Sequence, residues 1–189
     1  GQILQSREHS IRRDKSAEIM DFVSPYSLDE LDAAKARIVE LSGGGDQYVR
    51  PVAWRGSEMM AVSAQHNKIH VAIATWGWPS MFDPETKMKG IKLDIADYRR
   101  PDPQCAPVHA KAAGLYMICT ISKHKAEKIG YADAMMLDWH GRVTACPVSN
   151  LFLKRVVALH TPTAVCFING RTPQKANPLA QPLVLAVNT

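Results

Sequence analysis

The sequence predicts an α/β protein, and three features of the chain of 189 residues carry this prediction. Residues 27–41 have helical spacing of apolar side chains, and residues 68–76 form an apolar run of strand length. A second pattern of helix, strand, turn and strand occupies residues 111–152. The proline-rich segment 101–107 separates the two patterns, so we expect a first domain at 1–100, a linker at 101–107 and a second domain at 108–189.

The first domain is predicted to begin with two helices. Helical composition runs from His9 to Phe22. The second helix starts at Ser27, where Glu30 completes a capping box, and it stops at the glycines 43–45. Its expected buried face comprises Leu28, Leu31, Ala34, Ile38 and Leu41.

Three strands are then predicted before the linker. Tyr48 to Trp54 is the first, and Lys68 to Trp76 is the second, which we expect to be buried on both faces. Gly90 to Ile95 alternates as a half-exposed strand. Three prolines within 101–107 predict a stiff, extended connection to the second domain.

Lys111 opens the pattern that organises the second domain. Helical spacing follows it, then an apolar run from Ala134 to Leu137, a turn at His140-Gly141 and a return strand from Val143. Further strands are expected from Leu153 to Leu159 and from Leu183 to Val187. A lysine at a helix start faces the positive end of the helix dipole, which favours the neutral amine that a Schiff base needs. Lys111 is therefore a candidate nucleophile, although a solvated surface charge is the ordinary explanation for such a lysine.

A composite of motifs in this region resembles a known family. The motifs are K-x-x-G-x-Y at 111–116, G-Y-x-x-A-x-x-L-D-x-x-G-x-V at 130–143, S-N-L-F at 149–152 and H-T-P at 160–162. Together they resemble class IV aminotransferases that use pyridoxal 5′-phosphate (PLP), and within that group the branched-chain amino acid aminotransferases. The resemblance implies the two-domain fold of the D-amino acid aminotransferase type, with this chain incomplete at both ends. It also implies that Lys111 holds PLP as a Schiff base and that Tyr116 lies beside the ring.

The resemblance also suggests residues for the phosphate and the substrate. Arg12 matches the arginine that binds the PLP phosphate, a role that suits a guanidinium, and Thr172 matches a donor in the phosphate loop. Arg50 in Y-V-R-P matches a position near the substrate, although a structural salt bridge explains it equally well. Arg13 stands where the family has an apolar residue, so we expect its charge to point toward the core.

Two departures from the family pattern weaken the expected cofactor site. Ala145 occupies the cofactor-binding position where the family has a glutamate that pairs with the pyridine nitrogen of PLP. Without that carboxylate, the ring should be a weaker electron sink. The turn at 146–149 replaces a glycine-rich segment whose amides lie near the phosphate, and Pro147 has no N–H to donate.

Three functions follow from this comparison. The resemblance implies transamination between branched-chain amino acids and 2-oxoglutarate, with Lys111 holding the cofactor and moving a proton as general base and acid. The first alternative is a catalytically impaired or inactive remnant of the family, and the second is an enzyme like aminodeoxychorismate lyase. By analogy with the family, we expect a homodimer and a small amino acid or 2-oxo acid as partner.

Composition disfavours several other classes of protein. The chain is 46% hydrophobic and 22% charged, which fits a globular protein rather than a disordered one. Its net charge of +5 is scattered along the chain, so nucleic-acid binding is not expected. No apolar run has the length of roughly 18 residues that a spanning helix needs, and we expect a cytoplasmic protein without a membrane. The four cysteines and seven histidines lack metal-site spacing, so free thiols and no metal site are expected.

Overall fold

The computed structural model describes residues 3–78, 83–147, 149–155, 158–168 and 186–188. The chain forms two compact units, Gly1–Phe82 and Asp83–Thr189. The first unit contains α1 (Ser6–Ile19), α2 (Leu28–Leu41), β1 (Gln47–Arg55) and β2 (Ile69–Gly77). The second contains α3 (Pro84–Lys89), β3 (Leu93–Ile95), a 3₁₀ turn (Ala113–Tyr116), α4 (Met117–Lys128), β4 (Asp133–Met135), β5 (Leu153–Arg155), β6 (Ala158–His160) and β7 (Ala186–Asn188). This mixture of helices and strands confirms the predicted class.

The two helices of the first unit have well-defined ends. The predicted capping box is confirmed, since the Glu30 amide donates to Ser27 Oγ at 3.3 Å and the Ser27 amide donates to Glu30 Oε2 at 2.8 Å. Helix α1 lies three residues nearer the N-terminus than expected. It ends there because Asp21 has a left-handed φ of 59°, and Arg55 of β1 donates to the Met20 carbonyl at 2.9 Å.

The expected apolar face of α2 is partly wrong. Leu31 is buried, but Ala34 is exposed, and Leu41 is 69% exposed. Lys35 is only 2% exposed, and its Nζ lies 2.7 Å from both Asp32 Oδ1 and Ser10 Oγ. The ammonium also donates to the Ser6 carbonyl of α1 at 2.8 Å. Because all three donors have acceptors, the buried charge is tolerated between the two helices.

This network predicts an acid-sensitive contribution to stability. Burial alone would raise the pKa of Asp32, but hydrogen bonds from Lys35, Ser10 and Arg7 outweigh it and lower the pKa to about 2. A depressed carboxyl pKa stabilises the fold above the usual value near pH 4, and this contribution is lost as the pH falls toward 2. We expect Asp32→Asn to lower the free energy of unfolding at pH 7 by roughly 2 kcal/mol.

Urea unfolding measured between pH 7 and pH 2 tests this expectation. The Asp32→Asn protein should lose less stability than the wild type between pH 4 and pH 2. Asp29, whose side chain is 88% exposed, provides a control in Asp29→Asn, which should follow the wild type closely. A wild-type pH profile that persists in Asp32→Asn would contradict the assignment.

Arg13 confirms the expectation of an inward-pointing charge. Its side chain is 11% exposed. Nη2 donates to Ser24 Oγ at 2.7 Å and contacts the Asp14 carboxylate, whereas Nε and Nη1 are buried without a hydrogen-bond partner among the described residues. Buried donors without acceptors cost stability, so α1 carries an internal defect at the position where the family has an apolar residue.

Strands β1 and β2 form an antiparallel pair with one open face. The register places Tyr48 opposite Trp76 and Trp54 opposite His70. Burial alternates along both strands, and α2 packs against the pair. The expectation that residues 68–76 are buried on both faces is therefore wrong, because α2 covers only one face and the side chains of Val52 and Trp54 are more than 40% exposed on the other.

The second unit is built on a parallel pair of strands. Strand β3 pairs with β4 in the register Leu93 to Asp133, and α4 packs against β4. The core contains Ala96, Cys119, Ala126, Ala134 and Met136. The predicted strand at 90–95 is thus shortened to three residues, and it lies in the second unit rather than with the first domain. A crossover through α4 explains the parallel pairing.

Three further expectations need correction in the second unit. The segment 101–107 is not extended, because the Cys105 amide donates to the Asp102 carbonyl at 2.8 Å and closes a turn. Residues 153–155 and 158–160 form two antiparallel strands, β5 and β6, where the sequence predicted one strand from Leu153 to Leu159. Strand β7 extends the sheet parallel to β6, whereas the sequence predicted a strand at 183–187, of which 183–185 lie outside the described residues. The return from 143 is confirmed by a bridge between Leu137 and Val143.

Candidate active site

Lys111 lies on a segment that is fixed on both sides. Ala110 is fully buried, and its amide donates to the Pro107 carbonyl at 2.9 Å. The 3₁₀ turn then folds Tyr116 back toward the lysine. Lys111 is exposed, and its Nζ donates to the Tyr116 hydroxyl at 2.7 Å and lies 5.0 Å from the ring centroid. The structure therefore places an exposed amine on a phenol, and it brings together two of the residues that the sequence predicts for the site.

Tyr116 connects this amine to the core of the second unit. Its ring packs against the cluster that contains Cys119 and Met136. The ring is held by apolar contacts, and the hydroxyl is directed to Lys111. A phenol in this position accepts a hydrogen bond from the ammonium and can donate one to another acceptor. The pair can therefore orient a group that bonds to the amine.

Asp138 of the L-D-x-x-G-x-V motif has a structural role in the turn rather than a catalytic one. It is 3% exposed, and Oδ1 accepts from the amides of His140 at 2.9 Å and Arg142 at 2.8 Å. Burial alone would raise the pKa of Asp138, but hydrogen bonds from Arg142 outweigh it and lower the pKa. The ionised carboxylate organises the turn that returns the chain to residue 145.

Position 145 is apolar in its surroundings as well as in its side chain. Ala145 is 4% exposed and packs with Cys166 and Phe167, against Trp139 and Ala164. The Cys146 amide donates to the Ser149 carbonyl at 3.0 Å, so it is already engaged within the turn. Together with the missing N–H of Pro147, this leaves few amides for an anion. The end of the site around Ala145 therefore offers neither a carboxylate nor the amide of residue 146.

Arg100 was missed by the sequence analysis. Its Nη2 lies 3.4 Å from the Cys146 carbonyl and 3.8 Å from Cys119 Sγ, and Cζ lies 5.9 Å from the Phe167 ring centroid. Nε is buried without a hydrogen bond to any part of the chain that the structure describes. No feature of the Arg99-Arg100 pair distinguishes the two in sequence. The bridge between Arg100 and Asp138 decides which one turns inward.

All four cysteines are free thiols, as predicted. Three are buried around Arg100, and burial raises the pKa of each while the Arg100 charge acts in the opposite direction. These three are Cys119, Cys146 and Cys166. Burial likewise raises the pKa of Asp133, a buried acid beside them. At neutral pH the thiols are protonated, so they are poor nucleophiles and Lys111 is the stronger candidate.

The other predicted site residues lie in the first unit or outside the described residues. Arg12 is on α1, with Nη2 3.1 Å from His9 Nδ1. Arg50 is on the open face of the β1–β2 pair, where Cζ lies 5.4 Å from the Tyr48 ring and 5.6 Å from the Trp76 ring. Thr172 lies outside the described residues. The roles of Arg12, Arg50 and Thr172 stay predictions.

Two features of the described residues bear on metal binding and on membrane insertion. Within residues 3–78, 83–147 and the shorter described ranges, no group of three or more histidines, cysteines or acids could hold a metal ion. In the same part of the chain, no helix has the length and apolar character to cross a membrane.

The fold of the chain is that of the class IV aminotransferases. The family model described as "Amino-transferase class IV" matches residues 1–188, and the chain belongs to this family.

Within this family, the chain is similar to known aminotransferases in both sequence and structure. A probable branched-chain-amino-acid aminotransferase of Rickettsia conorii is 35% identical over 187 residues, which are 99% of this chain and 63% of the relative. The branched-chain aminotransferase of Thermoproteus uzoniensis, solved with norvaline, superposes with a TM-score of 0.90 at 27% identity over 97% of this chain and 61% of that one. A Brucella abortus aminotransferase bound to PLP gives a TM-score of 0.81 at 27% identity, over 97% of this chain and 65% of that one. The chain thus spans less than two thirds of the length of these proteins.

Proposed function

We propose that this chain acts as a PLP-dependent aminotransferase of branched-chain amino acids, with Lys111 as the residue that bonds to the cofactor. The observation that carries the proposal is the amine of Lys111 held on the Tyr116 hydroxyl at 2.7 Å, on a segment anchored by buried Ala110. Membership of the class IV family, the branched-chain aminotransferase relatives and the Brucella abortus enzyme that binds PLP support it. 2-Oxoglutarate is the proposed amino-group acceptor.

The residues of the chain divide the work as follows. When bound, PLP supplies an aldehyde that captures an amine and a ring that withdraws electrons from the substrate's α-carbon. Lys111 would hold the cofactor through Nζ. Its amine would act as general base and acid, taking a proton from the substrate's α-carbon and delivering it to the cofactor carbon that carried the aldehyde. The Tyr116 hydroxyl orients the amine. Arg12 and Thr172 are proposed to bind phosphate, and Arg50 to lie near the substrate.

The residues present fit the aldehyde end of PLP better than its ring-nitrogen end. Lys111 and Tyr116 supply the amine and an orienting phenol. At position 145 the methyl group in an apolar cluster cannot pair with a protonated pyridine. A charged hydrogen bond of the kind that is missing contributes roughly 1.5–3 kcal/mol, or about one to two decades in rate. We therefore expect slow transamination compared with a family member that has the glutamate.

The apolar surroundings of Ala145 favour a second candidate function. In this alternative, the chain is a remnant of the family that folds but binds PLP weakly and does not turn over. A lyase of the aminodeoxychorismate type shares the cofactor but releases a different product.

Conversion of L-leucine, L-isoleucine or L-valine to the matching 2-oxo acid, measured with PLP and 2-oxoglutarate, supports the transaminase. No conversion by protein that has bound PLP at Lys111 would favour one of the alternatives.

Tyr116 provides a specific test of the proposed orientation. Tyr116→Phe keeps the ring on the core but removes the hydroxyl that accepts from Lys111. We expect the single-turnover rate with L-leucine to fall about 10-fold, as the loss of one hydrogen bond to a charged group implies. PLP should still attach to Lys111. Tyr131→Phe, on an exposed tyrosine of the same unit, is the control, and an equal effect of both changes would contradict the role.

We also propose that two copies of the chain associate. The support is the open face of β1 and β2, where Val52, Trp54 and Tyr48 are each at least 40% exposed. Exposed apolar faces of this kind are typical of interfaces. Light scattering of the purified chain distinguishes a dimer from a monomer. The cytoplasmic location stays a prediction from the sequence.

A further inference from the structure

Arg100 is a half-buried cation whose Nε is fully buried and whose described partners are weak. Its Nη2 reaches a thiol, Cys119 Sγ at 3.8 Å, and a carbonyl, that of Cys146 at 3.4 Å. Both distances are long for hydrogen bonds to a guanidinium. Nε is buried and has no hydrogen-bond acceptor in the described part of the chain, and the guanidinium lies over the Phe167 ring. Among the described residues, no ion pair includes Arg100.

The acids of the surrounding core do not supply the missing partner. Asp133 Oδ1 accepts from the Ala134 amide at 2.8 Å, and burial raises the pKa of this carboxyl. Asp138 is occupied on both oxygens, by the amides of His140 and Arg142 and by Arg142 Nε at 2.8 Å. Burying the Nε–H of Arg100 without an acceptor is costly, because its hydrogen bond to water is lost without replacement.

Residue 145 lies where a carboxylate could reach this cation. Arg100 contacts the carbonyl of the next residue, Cys146, and the Ala145 methyl packs on Phe167, the same ring that the guanidinium covers. Alanine ends at Cβ, so the position presents no polar atom beyond the main chain. The planar guanidinium of an arginine can donate two parallel hydrogen bonds to the two oxygens of a carboxylate. Nε and Nη2 of Arg100 have no such acceptor among the described residues.

We propose that Arg100 forms a binding site for a small carboxylate beside Ala145. The carboxylate can be that of a free monoanion the size of formate, or that of an acidic side chain at position 145. In either case it accepts from the Arg100 nitrogens and completes the pairing that this sequence leaves open. Both experiments below use the protein without added PLP, so they test this proposal independently of the transaminase proposal.

The first experiment compares thermal melting of Ala145→Glu and Ala145→Gln without PLP. The two side chains match in size and differ in charge. We expect Ala145→Glu to melt about 3–8 °C above Ala145→Gln, the shift that one charge-assisted hydrogen bond gives in a chain of this length. In an Arg100→Leu background, this advantage should disappear. Equal melting of the Glu and Gln variants, or an advantage that persists with Arg100→Leu, would overturn the proposal.

The second experiment uses formate as the probe, and its main comparison is made on the wild type. Sodium formate replaces sodium chloride at constant ionic strength, and formamide serves as the neutral control of the same size. We expect a saturable rise of about 3 °C in the melting temperature of the wild type with formate, and none with formamide. The rise should be absent in Ala145→Glu, whose own carboxylate occupies the site. No rise in the wild type, or an equal rise in Ala145→Glu, contradicts a carboxylate site at Arg100.

Discussion

Replacing Lys111 with alanine is expected to abolish covalent capture of PLP by this chain. The bond to the cofactor's aldehyde needs an accessible primary amine, and Lys111 is the exposed amine that the turn 113–116 holds on Tyr116. After incubation with PLP and reduction with borohydride, mass spectrometry should find no label on the peptide that contains residue 111. Because the side chain is exposed, the melting temperature should change by less than about 2 °C.

A second lysine provides the control for this prediction. Lys128, exposed at the end of α4, is replaced in Lys128→Ala, which should retain the full label at Lys111. The reduced label is permanent, so weak binding does not obscure its position. Label of undiminished amount in Lys111→Ala, on any other lysine, would show that Lys111 is the wrong residue.

Replacing Arg13 with leucine is expected to stabilise the chain by about 1–3 kcal/mol, because it removes two buried donors without acceptors while its ion-pair partner Asp14 stays partly exposed. Two of the three guanidinium nitrogens are buried without acceptors among the described residues, and the side chain is 11% exposed. Leucine fills comparable space without unmet donors, and it is apolar like the residue that the family has at this position. Urea unfolding at pH 7 measures the change in the free energy of unfolding.

An exposed arginine makes the matched comparison. Arg37 has a side chain that is 67% exposed and lies 3.3 Å from Glu40. Arg37→Leu should change the free energy of unfolding by no more than about 0.5 kcal/mol, since exposed ion pairs contribute little. If Arg13→Leu destabilises the protein, then the contacts of Nη2 with Asp14 and Ser24 contribute more than the two unpaired nitrogens cost, which would contradict the prediction.

Features that depend on neighbours in sequence were predicted correctly. The capping box at Ser27 and Glu30 is confirmed because both partners lie within one helical turn. The strand at 47–55 is confirmed because its alternation is a local property. The buried Lys35 was not predictable, because its acceptors Ser6 and Ser10 belong to another helix. Periodicity places an apolar face, but it does not reveal a polar residue that tertiary partners draw inward.

The residues of the candidate site show the same distinction between local features and features that depend on tertiary contacts. The contact between Lys111 and Tyr116 joins residues only five positions apart, which a short turn brings together, whereas their roles toward a cofactor stay predictions. Arg13 was predictable by comparison with the family pattern. Arg100 was not, because its surroundings come from residues 119, 146 and 167, which only the folded chain assembles. The neighbouring Arg99 has the same chemistry and points outward to the Trp139 carbonyl.

The measurement that tests the central proposal most directly is PLP titration of the wild-type chain followed by borohydride reduction and peptide mapping. The proposal predicts a visible absorption band on addition of PLP that reduction removes. It also predicts one reduced label per chain, on Lys111. No band and no label at millimolar PLP, or a label spread over surface lysines, would contradict the assignment of Lys111 as the residue that binds the cofactor.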